Sequence, residues 1–219
     1  MKKILVLAVM SMFTFVVAAQ EKIKEGIVTS KQTMTTDNEQ MQAQFDAMGD
    51  MMSTIYFKGT KSRVELSNPM SGDVVVISDS EEMQTLTLMN NPMLGKKFML
   101  QNVEVTPEML ENVKLEATDE TKTIIGYECK LYHVTTTEQG VEVKMDMYVT
   151  EEIAPVMTQQ TSVLGEKLKG FPLYMEMHVN QQGMSMVVKT EVTELKKETV
   201  SDDKFSMTPP EGYTKMEGM

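Results

Sequence analysis

The sequence predicts a mainly β protein with an antiparallel sheet and two or three short helices, and two observations carry that prediction. First, apolar and polar residues alternate from Val141 to Val149, which is the pattern of a strand with one buried and one solvated face. The same alternation runs from Leu173 to Val179 and resumes after Gly183. Second, short β-type runs follow one another with turn residues between them, which favours a meander over parallel strands joined by helices.

The first half of the chain predicts one helix among several strands. Residues 23–34 are rich in β-branched side chains and form the first expected strand. Capping acceptors at 37–40 precede apolar residues spaced three or four apart, which predicts a short amphipathic helix that ends near Gly49. Strands are then expected over 55–58, 61–66, 74–78, 84–89 and 97–100, separated by turn-forming Asn, Pro and Gly residues.

The remaining segments predict a second helix and two irregular stretches. Thr106 and Pro107 offer an N-terminal cap and a first-turn proline for a brief helix through about Val113. Residues 153–170 predict a loop with a helical turn, and residues 200–219 predict a last short strand and a frayed end. No repeat or low-complexity linker divides the chain, so residues 20–219 are expected to form a single antiparallel β domain, a half-barrel or a sandwich.

The apolar faces of two late hairpins predict their registers. A four-residue loop over 180–183 pairs apolar with apolar residues, setting Val179 opposite Met184, Met177 opposite Met186 and Met175 opposite Val188. In the preceding hairpin, a three-residue loop over 138–140 with glycine in the left-handed position sets His133 opposite Met145, Leu131 opposite Met147 and Cys129 opposite Val149. A two-residue loop would set Glu138 opposite Val141 and Lys130 opposite Val149 instead. The three-residue loop is the predicted one.

Residues 1–19 have the order of a secretory signal peptide. Lys2 and Lys3 precede an apolar run that ends in Ala18 and Ala19. The run is shorter than the ~20 residues that span a bilayer, so cleavage near Ala19 and no stable membrane insertion are expected. The mature chain is then expected in the periplasm or outside the cell. Loss of the two lysines takes the formal net charge from −11 to −13, and this acidic balance argues against nucleic acid as a partner.

The sequence does not predict catalysis. Cys129 is the single cysteine, so no internal disulfide is expected. A buried, inert thiol is the prediction, and an intermolecular disulfide is the alternative. His133 and His178 are the two histidines. Cys129 and His133 are expected ~13 Å apart along one strand at ~3.3 Å per residue, too far to act as a nucleophile and its base. Phosphate-binding, paired-histidine zinc and calcium motifs are absent, so neither an enzyme nor a cofactor is predicted.

Methionine is unusually frequent: 24 residues, of which Met1, Met10 and Met12 lie in the signal peptide, leaving 21 in the mature chain. Pairs two residues apart place two thioethers on one face of each late strand. With Leu131, these pairs are the predicted lining for a hydrophobic ligand: Met145, Met147, Met175, Met177, Met184 and Met186. The same spacing fits a packed core, because methionine fills core gaps. It also fits a copper(I) site, for which Cys129, His133 and Met145 are the alternative ligand set.

Several motifs resemble a known family. They are IGYECKLY at 125–132, VTEEI at 149–153, KGFPL at 169–173, PEGY at 210–213 and YFKGTKSR at 56–63. Over nearly the whole mature chain they resemble domain of unknown function family 4412 of Gram-negative bacteria. That family is similar to the open-barrel lipoprotein carriers of the LolA and LppX type. The resemblance implies a curved antiparallel sheet, an open half-barrel with helices across its mouth, that holds a lipid or another apolar molecule in the envelope.

Three functions remain open at this point. The leading hypothesis is a non-enzymatic periplasmic or secreted protein that binds a lipid or another hydrophobic ligand. The alternative is a methionine-rich envelope protein that binds copper(I) or scavenges oxidants, because thioethers oxidise reversibly. The third is a structural envelope protein whose exposed edge strands pair with a partner.

Overall fold

A computed structural model describes residues 21–68, 72–103, 106–138, 141–158, 161–181 and 184–216. The expected signal peptide lies outside these residues. The first half contains two helices, α1 (Glu39–Met48) and α2 (Pro107–Glu111), and six strands: β1 (Glu25–Thr36), β2 (Met51–Lys58), β3 (Lys61–Asn68), β4 (Gly72–Asp79), β5 (Gln84–Asn91) and β6 (Gly95–Asn102). The second half contains β7 (Lys114–Ile124), β8 (Tyr127–Glu138), β9 (Val141–Thr150), β10 (Phe171–Gln181), β11 (Met184–Lys196) and β12 (Thr214–Lys215).

The strands described form one curved sheet in the order β12-β6-β5-β4-β3-β2-β1-β11-β10-β9-β8-β7. Neighbouring strands are antiparallel, except that β12 runs parallel to β6. The first half joins the second where β1 pairs with β11. Because β12 and β7 each have a single neighbour, the sheet does not close into a barrel. The predicted mainly β, open half-barrel architecture is therefore confirmed.

Local sequence signals located most elements correctly. Asn38 caps α1, accepting a hydrogen bond from the backbone N–H of Met41 at 3.0 Å, and the helix ends at Gly49 as predicted. The expected helical turn is a short 3-10 helix at Ser162–Lys167. The sequence missed β7, whose exposed charged residues hide the alternation that marks a half-buried strand. Among the described residues, no helix is long and apolar enough to cross a membrane.

Both predicted hairpin registers were wrong. In the hairpin β10–β11, Val179 pairs with Met186 and Met177 with Val188, so the connection has two residues rather than four. The two-residue shift keeps every side chain on its predicted face, because the side-chain period of a strand is two. The buried pattern alone could not separate these two registers.

The error in the hairpin β8–β9 has a larger consequence. Glu138 pairs with Val141 and Lys130 with Val149, which corresponds to a two-residue loop rather than the predicted three-residue loop. The one-residue shift turns the side chains of β8 to the other face of the sheet. Val134 therefore lies opposite Met145, and His133 lies opposite Asp146.

The sheet has two differently covered faces. The inner face carries Met145, Met147 and Met175, which are buried in one cluster with Leu164 and Leu168. On the outer face, residues that follow β11 in the chain pack against β4 and β5. Together they form a second cluster of buried side chains: Ile77, Leu86, Leu88, Val200 and Phe205. Among the described residues, a mostly irregular segment of the chain, rather than a second sheet, therefore covers each of these two buried parts of the sheet.

A polar cluster on the outer face should make stability depend on acid. Glu176 on β10 accepts a hydrogen bond from the Tyr174 hydroxyl at 2.6 Å and lies 3.3 Å from Lys189 Nζ and 3.2 Å from His178 Nε2. The hydrogen bond from Tyr174 is the main cause that lowers the pKa of Glu176, and Lys189 and His178 act in the same direction. The ionised carboxylate therefore stabilises the folded state above the pKa of an unfolded glutamate, and this stabilisation is lost as pH falls through the lowered value.

Glu176→Gln is expected to lower the free energy of unfolding by about 1 kcal/mol at pH 7, the net contribution of one typical hydrogen bond, since Glu176 is partly exposed. The difference from wild type should shrink as pH falls through the lowered pKa of the folded Glu176, because the protonated side chain no longer carries the charge that stabilises the folded state. Urea unfolding at several pH values measures it. Glu142→Gln is the control, since Glu142 is exposed on β9 beside Lys144. A difference that does not shrink as the pH is lowered would contradict the prediction.

Candidate ligand-binding site beside the covering segment

The chain between β9 and β10 crosses the inner face of the sheet, and its described residues 154–158 and 161–168 are called the covering segment here. Its 3-10 helix is interrupted at Gly165, which has a φ of 51°. Leu164 is fully buried and Leu168 nearly so, and both pack against the methionines of β9 and β10. Apolar contact, rather than regular secondary structure, therefore fixes this segment to the sheet.

Hydrogen bonds hold the covering segment at three points. At its start, Ile23 forms a parallel bridge with Ile153, and its carbonyl accepts a hydrogen bond from Ala154 N at 2.9 Å. In the middle, Ser62 Oγ on β3 donates to the Met157 carbonyl at 2.5 Å. Near the end, Lys167 Nζ donates to two carbonyls at the C-terminus of α2, those of Leu110 at 2.5 Å and Val113 at 2.9 Å.

Two buried threonines satisfy the polar groups of the covering segment internally. Thr161 Oγ1 accepts a hydrogen bond from Thr158 N at 3.0 Å and donates to the Val156 carbonyl at 2.9 Å. Among the described residues, no buried side-chain nitrogen or oxygen lacks a hydrogen-bond partner. An irregular segment can lie against an apolar sheet because its polar groups are paired in this way.

Between the covering segment and the sheet lies a small cavity of about 90 Å³. This volume holds a few water molecules but not a lipid chain. Hydroxyl and amide groups alternate with apolar side chains around it, from Ser30, Gln32, Ser53, Ile55, Val64, Leu66, Val76, Thr158, Thr161, Phe171, Pro172, Met175, Thr190 and Val192. The middle of the inner face is consequently too well filled to take a large ligand.

A larger space, called the lateral pocket, lies beside the covering segment and has a volume of about 760 Å³. That volume falls within the ~300–1,000 Å³ typical of small-molecule sites. Half of its lining residues are apolar, and it is bordered by the covering segment, α2 and the β4–β5 turn: Lys22, Ser80, Met83, Leu110, Pro155, Val156, Met157, Thr161, Ser162, Gly165, Leu168 and Lys169. Met83, on the turn, has a φ of 50°, a left-handed conformation that is uncommon outside glycine.

The predicted lining residues are distributed unevenly around these spaces. Cross-strand pairing sets Met145 beside Met177 and Met147 beside Met175, so four thioethers form one patch on the inner face. Met186 is half-buried and pairs with Val179, and the backbone of Met184 pairs with Gln181. Leu131 is buried on the outer face, opposite Tyr148. Met175 borders the small cavity, and none of the predicted residues is among those that border the lateral pocket.

The alternative metal set does not come together as predicted. The register sets Val134, rather than His133, opposite Met145, and Cys129 is buried in a different core cluster from Met145. Cys129 is fully buried, and burial raises the pKa of its thiol to about 11. His133 Nδ1 lies 2.6 Å from a carboxylate oxygen of Asp146. In the part of the chain that the structure describes, no three His, Cys, Asp or Glu side chains are placed to hold a metal ion.

Sequence reasoning missed the lateral pocket because its walls are far apart in the chain. Lys22 precedes β1, Met83 lies in a turn, Leu110 lies on α2 and Lys169 precedes β10. None of these residues belongs to an alternating or helical pattern that would mark it as part of a buried face. The positive φ of Met83 is the one local anomaly, and a sequence does not reveal it.

With this geometry established, residues 38–213 match the family model described as "Domain of unknown function (DUF4412)". The chain belongs to the DUF4412 family. The resemblance drawn from the sequence motifs is thereby confirmed, and the match extends from α1 to the residue before β12, which leaves out β1 and includes the covering segment. Among curated proteins, no sequence matches this DUF4412 protein significantly.

Several solved structures are similar to this DUF4412 protein, all at low sequence identity. PNGF-II is 16% identical with a TM-score of 0.46, over 88% of this chain and 31% of that chain. A chain of the Pseudomonas aeruginosa MucA/MucB complex is 10% identical with a TM-score of 0.44, over 85% of this chain and 56% of that chain. The Mycobacterium tuberculosis lipoprotein LppX is 9% identical with a TM-score of 0.34, over 77% of this chain and 86% of that chain. The present chain thus spans about a third of PNGF-II and just over half of the MucA/MucB chain.

Proposed function

We propose that this DUF4412 protein is an exported, non-enzymatic protein that binds a lipid or another hydrophobic ligand in the lateral pocket. The observation that carries the proposal is the pocket itself, about 760 Å³ bordered by Met83, Leu110, Pro155, Val156, Met157 and Leu168. Sites for apolar small molecules combine such a volume with mostly apolar walls and a few polar groups.

The exposure of the pocket walls supports binding of an apolar guest. Met83 is 37% exposed, and Leu110 and Met157 are half-buried, so apolar surface remains in contact with water. Occupation by a ligand would remove that surface from water and is favourable for this reason. Methionine side chains also adapt their shape to different apolar partners, since they are unbranched and flexible.

Export is part of the proposal and is supported by the sequence. The charged, apolar and small-residue order of residues 1–19 is that of a secretory signal peptide. A location in the periplasm or outside the cell would place the pocket near the lipids of the envelope. The protein would then carry or sequester its ligand without chemical change.

A charge placed in the pocket wall tests the proposal. Met83→Glu is expected to weaken binding of an apolar fluorescent probe at least about tenfold, because removing water from a carboxylate against an apolar guest costs free energy. Met93→Glu is the matched control, since Met93 is 93% exposed on the β5–β6 turn, outside the lateral pocket. Probe titration of the three proteins measures the effect, and native mass spectrometry before and after denaturation identifies any copurified ligand.

Equal affinities of wild type and Met83→Glu would remove the lateral pocket from the proposal. Absence of both probe binding and a copurified mass would overturn the carrier function altogether. In either case the apolar walls of the lateral pocket would be exposed surface without a role in binding.

One observation favours a second candidate, a methionine site for copper(I) or oxidants. The register of β9 and β10 sets Met145 beside Met177 and Met147 beside Met175, so four thioethers adjoin each other. Thioether sulfur is a ligand type that selects copper(I). The burial of this patch under Leu164 and Leu168 favours core packing over metal access.

A further inference from the structure

The lateral pocket is lined by positively charged residues, although the chain as a whole is negatively charged. The sequence has 32 acidic and 21 basic residues. Yet the described lining residues of the lateral pocket include two lysines, Lys22 and Lys169, and no aspartate or glutamate. A cationic site on an acidic protein indicates a specific anionic partner rather than general attraction to anions.

The two lysines are adjacent and available. Lys22 Nζ donates a hydrogen bond to the backbone carbonyl of Lys169 at 2.7 Å, which fixes the Lys22 ammonium at the pocket. An ammonium has three N–H donors, so two remain for a ligand. Within the described residues neither lysine lies in an ion pair, whereas eight others do: Lys24, Lys31, Lys58, Lys61, Lys144, Lys189, Lys196 and Lys204.

We infer that the ligand of the lateral pocket is a single-chain acidic amphiphile, a long-chain carboxylate. Its anionic head binds Lys22 and Lys169, and its apolar chain lies against Met83, Leu110 and Leu168. This inference rests on the proposed function and narrows it to one class of ligand. The inference depends on two features of the lateral pocket: Lys22 and Lys169 lie outside the ion pairs of the described residues, and they stand beside apolar side chains. A carboxylate with a long apolar chain is complementary to both.

The charges act locally because salt screens them beyond about 10 Å. The negative charge of the rest of the chain opposes an anion at long range, but a carboxylate held by two ammonium groups gains charge-assisted hydrogen bonds at close range. Raising the ionic strength should therefore weaken the binding of the carboxylate more than the binding of an uncharged analogue with the same chain.

Paired probes test the inference on the full mature protein. Dodecanoate and dodecanol, which share an apolar chain and differ in charge, compete against a bound fluorescent probe. Wild type is expected to bind dodecanoate at least about tenfold more tightly than dodecanol, on the scale of a hydrogen bond between charged groups. The double variant Lys22→Gln/Lys169→Gln is expected to lose this preference while its affinity for dodecanol is unchanged. Lys130→Gln, an exposed lysine on β8, is the control and keeps the preference.

The outcomes separate the inference from the proposed function. Equal wild-type affinities for dodecanoate and dodecanol would overturn the acidic ligand and leave hydrophobic binding intact. Failure of both compounds to displace the probe would overturn hydrophobic binding as well. Parallel loss of dodecanol and dodecanoate binding in the double variant would show that the lysines hold the fold of the pocket rather than an anion, which would also overturn the inference.

Discussion

Leu164→Ala is expected to lower the free energy of unfolding by about 2–5 kcal/mol, the range for removing a buried leucine side chain. Leu164 is fully buried and packs against the inner face of the sheet as part of the covering segment. Truncation leaves a cavity that this segment can fill only in part, since hydrogen bonds through Met157 and Lys167 hold it on both sides. Urea unfolding followed by circular dichroism measures the loss.

Leu94→Ala is the matched control for this prediction. Leu94 lies on the β5–β6 turn and is 69% exposed, so the same substitution there should change the free energy of unfolding by about 0.5 kcal/mol or less. Hydrogen exchange adds a local readout, because Leu164 N donates to the Thr161 carbonyl at 3.0 Å within the covering segment. A Leu164→Ala variant as stable as Leu94→Ala would mean that the covering segment does not pack on the sheet in solution.

The second large effect is expected at Met147, whose side chain is fully buried at the centre of the thioether patch. Met147→Ala should lower the free energy of unfolding by about 2–5 kcal/mol. Met147→Leu should cost less than about 1.5 kcal/mol, because leucine nearly conserves the volume and the apolar character. Combined with Leu164→Ala, Met147→Ala should show a coupling of about 0.5–3 kcal/mol, since both residues belong to one cluster.

The same variants decide between a core and a copper site. If the thioethers are core, copper(I) under reducing conditions leaves the melting temperature of wild type and Met147→Leu unchanged. If they bind copper(I), the metal raises the melting temperature of wild type by binding the folded state, and Met147→Leu loses part of that gain. A rise in melting temperature that is larger in wild type than in Met147→Leu would therefore replace core packing with metal binding as the role of the patch.

Local patterns in the sequence were sufficient for most of the fold. The cap at Asn38 and the spacing of Met41, Phe45 and Met48 specify α1 through contacts within one helix. Alternation in β9, β10 and β11 specifies which side chains share a face, because successive side chains of a strand point to opposite sides. These signals depend on residues close in the chain, so they can be recognised without the tertiary structure.

Register and the candidate site were outside the reach of such signals. A two-residue shift in the pairing of β10 with β11 leaves every side chain on the same face of the sheet, so the alternation could not exclude it. In the hairpin β8–β9, the choice between two short loops decided which residues lie opposite Cys129 and His133. The copper set followed from the wrong choice. The methionines were predicted to line a ligand site because they occur at every second position of a strand. Most of these side chains instead pack beneath the covering segment.

The sequence by itself determined the class of fold, the faces of β9, β10 and β11, and the DUF4412 membership, because each depends on residues that are neighbours in the chain or on short motifs that can be recognised one at a time. The tertiary structure alone decided where a ligand could bind. Lys22 donates a hydrogen bond to the carbonyl of Lys169, 147 positions away in the sequence, and Met83 and Leu110 border the same pocket. Such contacts depend on how the sheet curves and on where the covering segment crosses it, and no local pattern of residues encodes either.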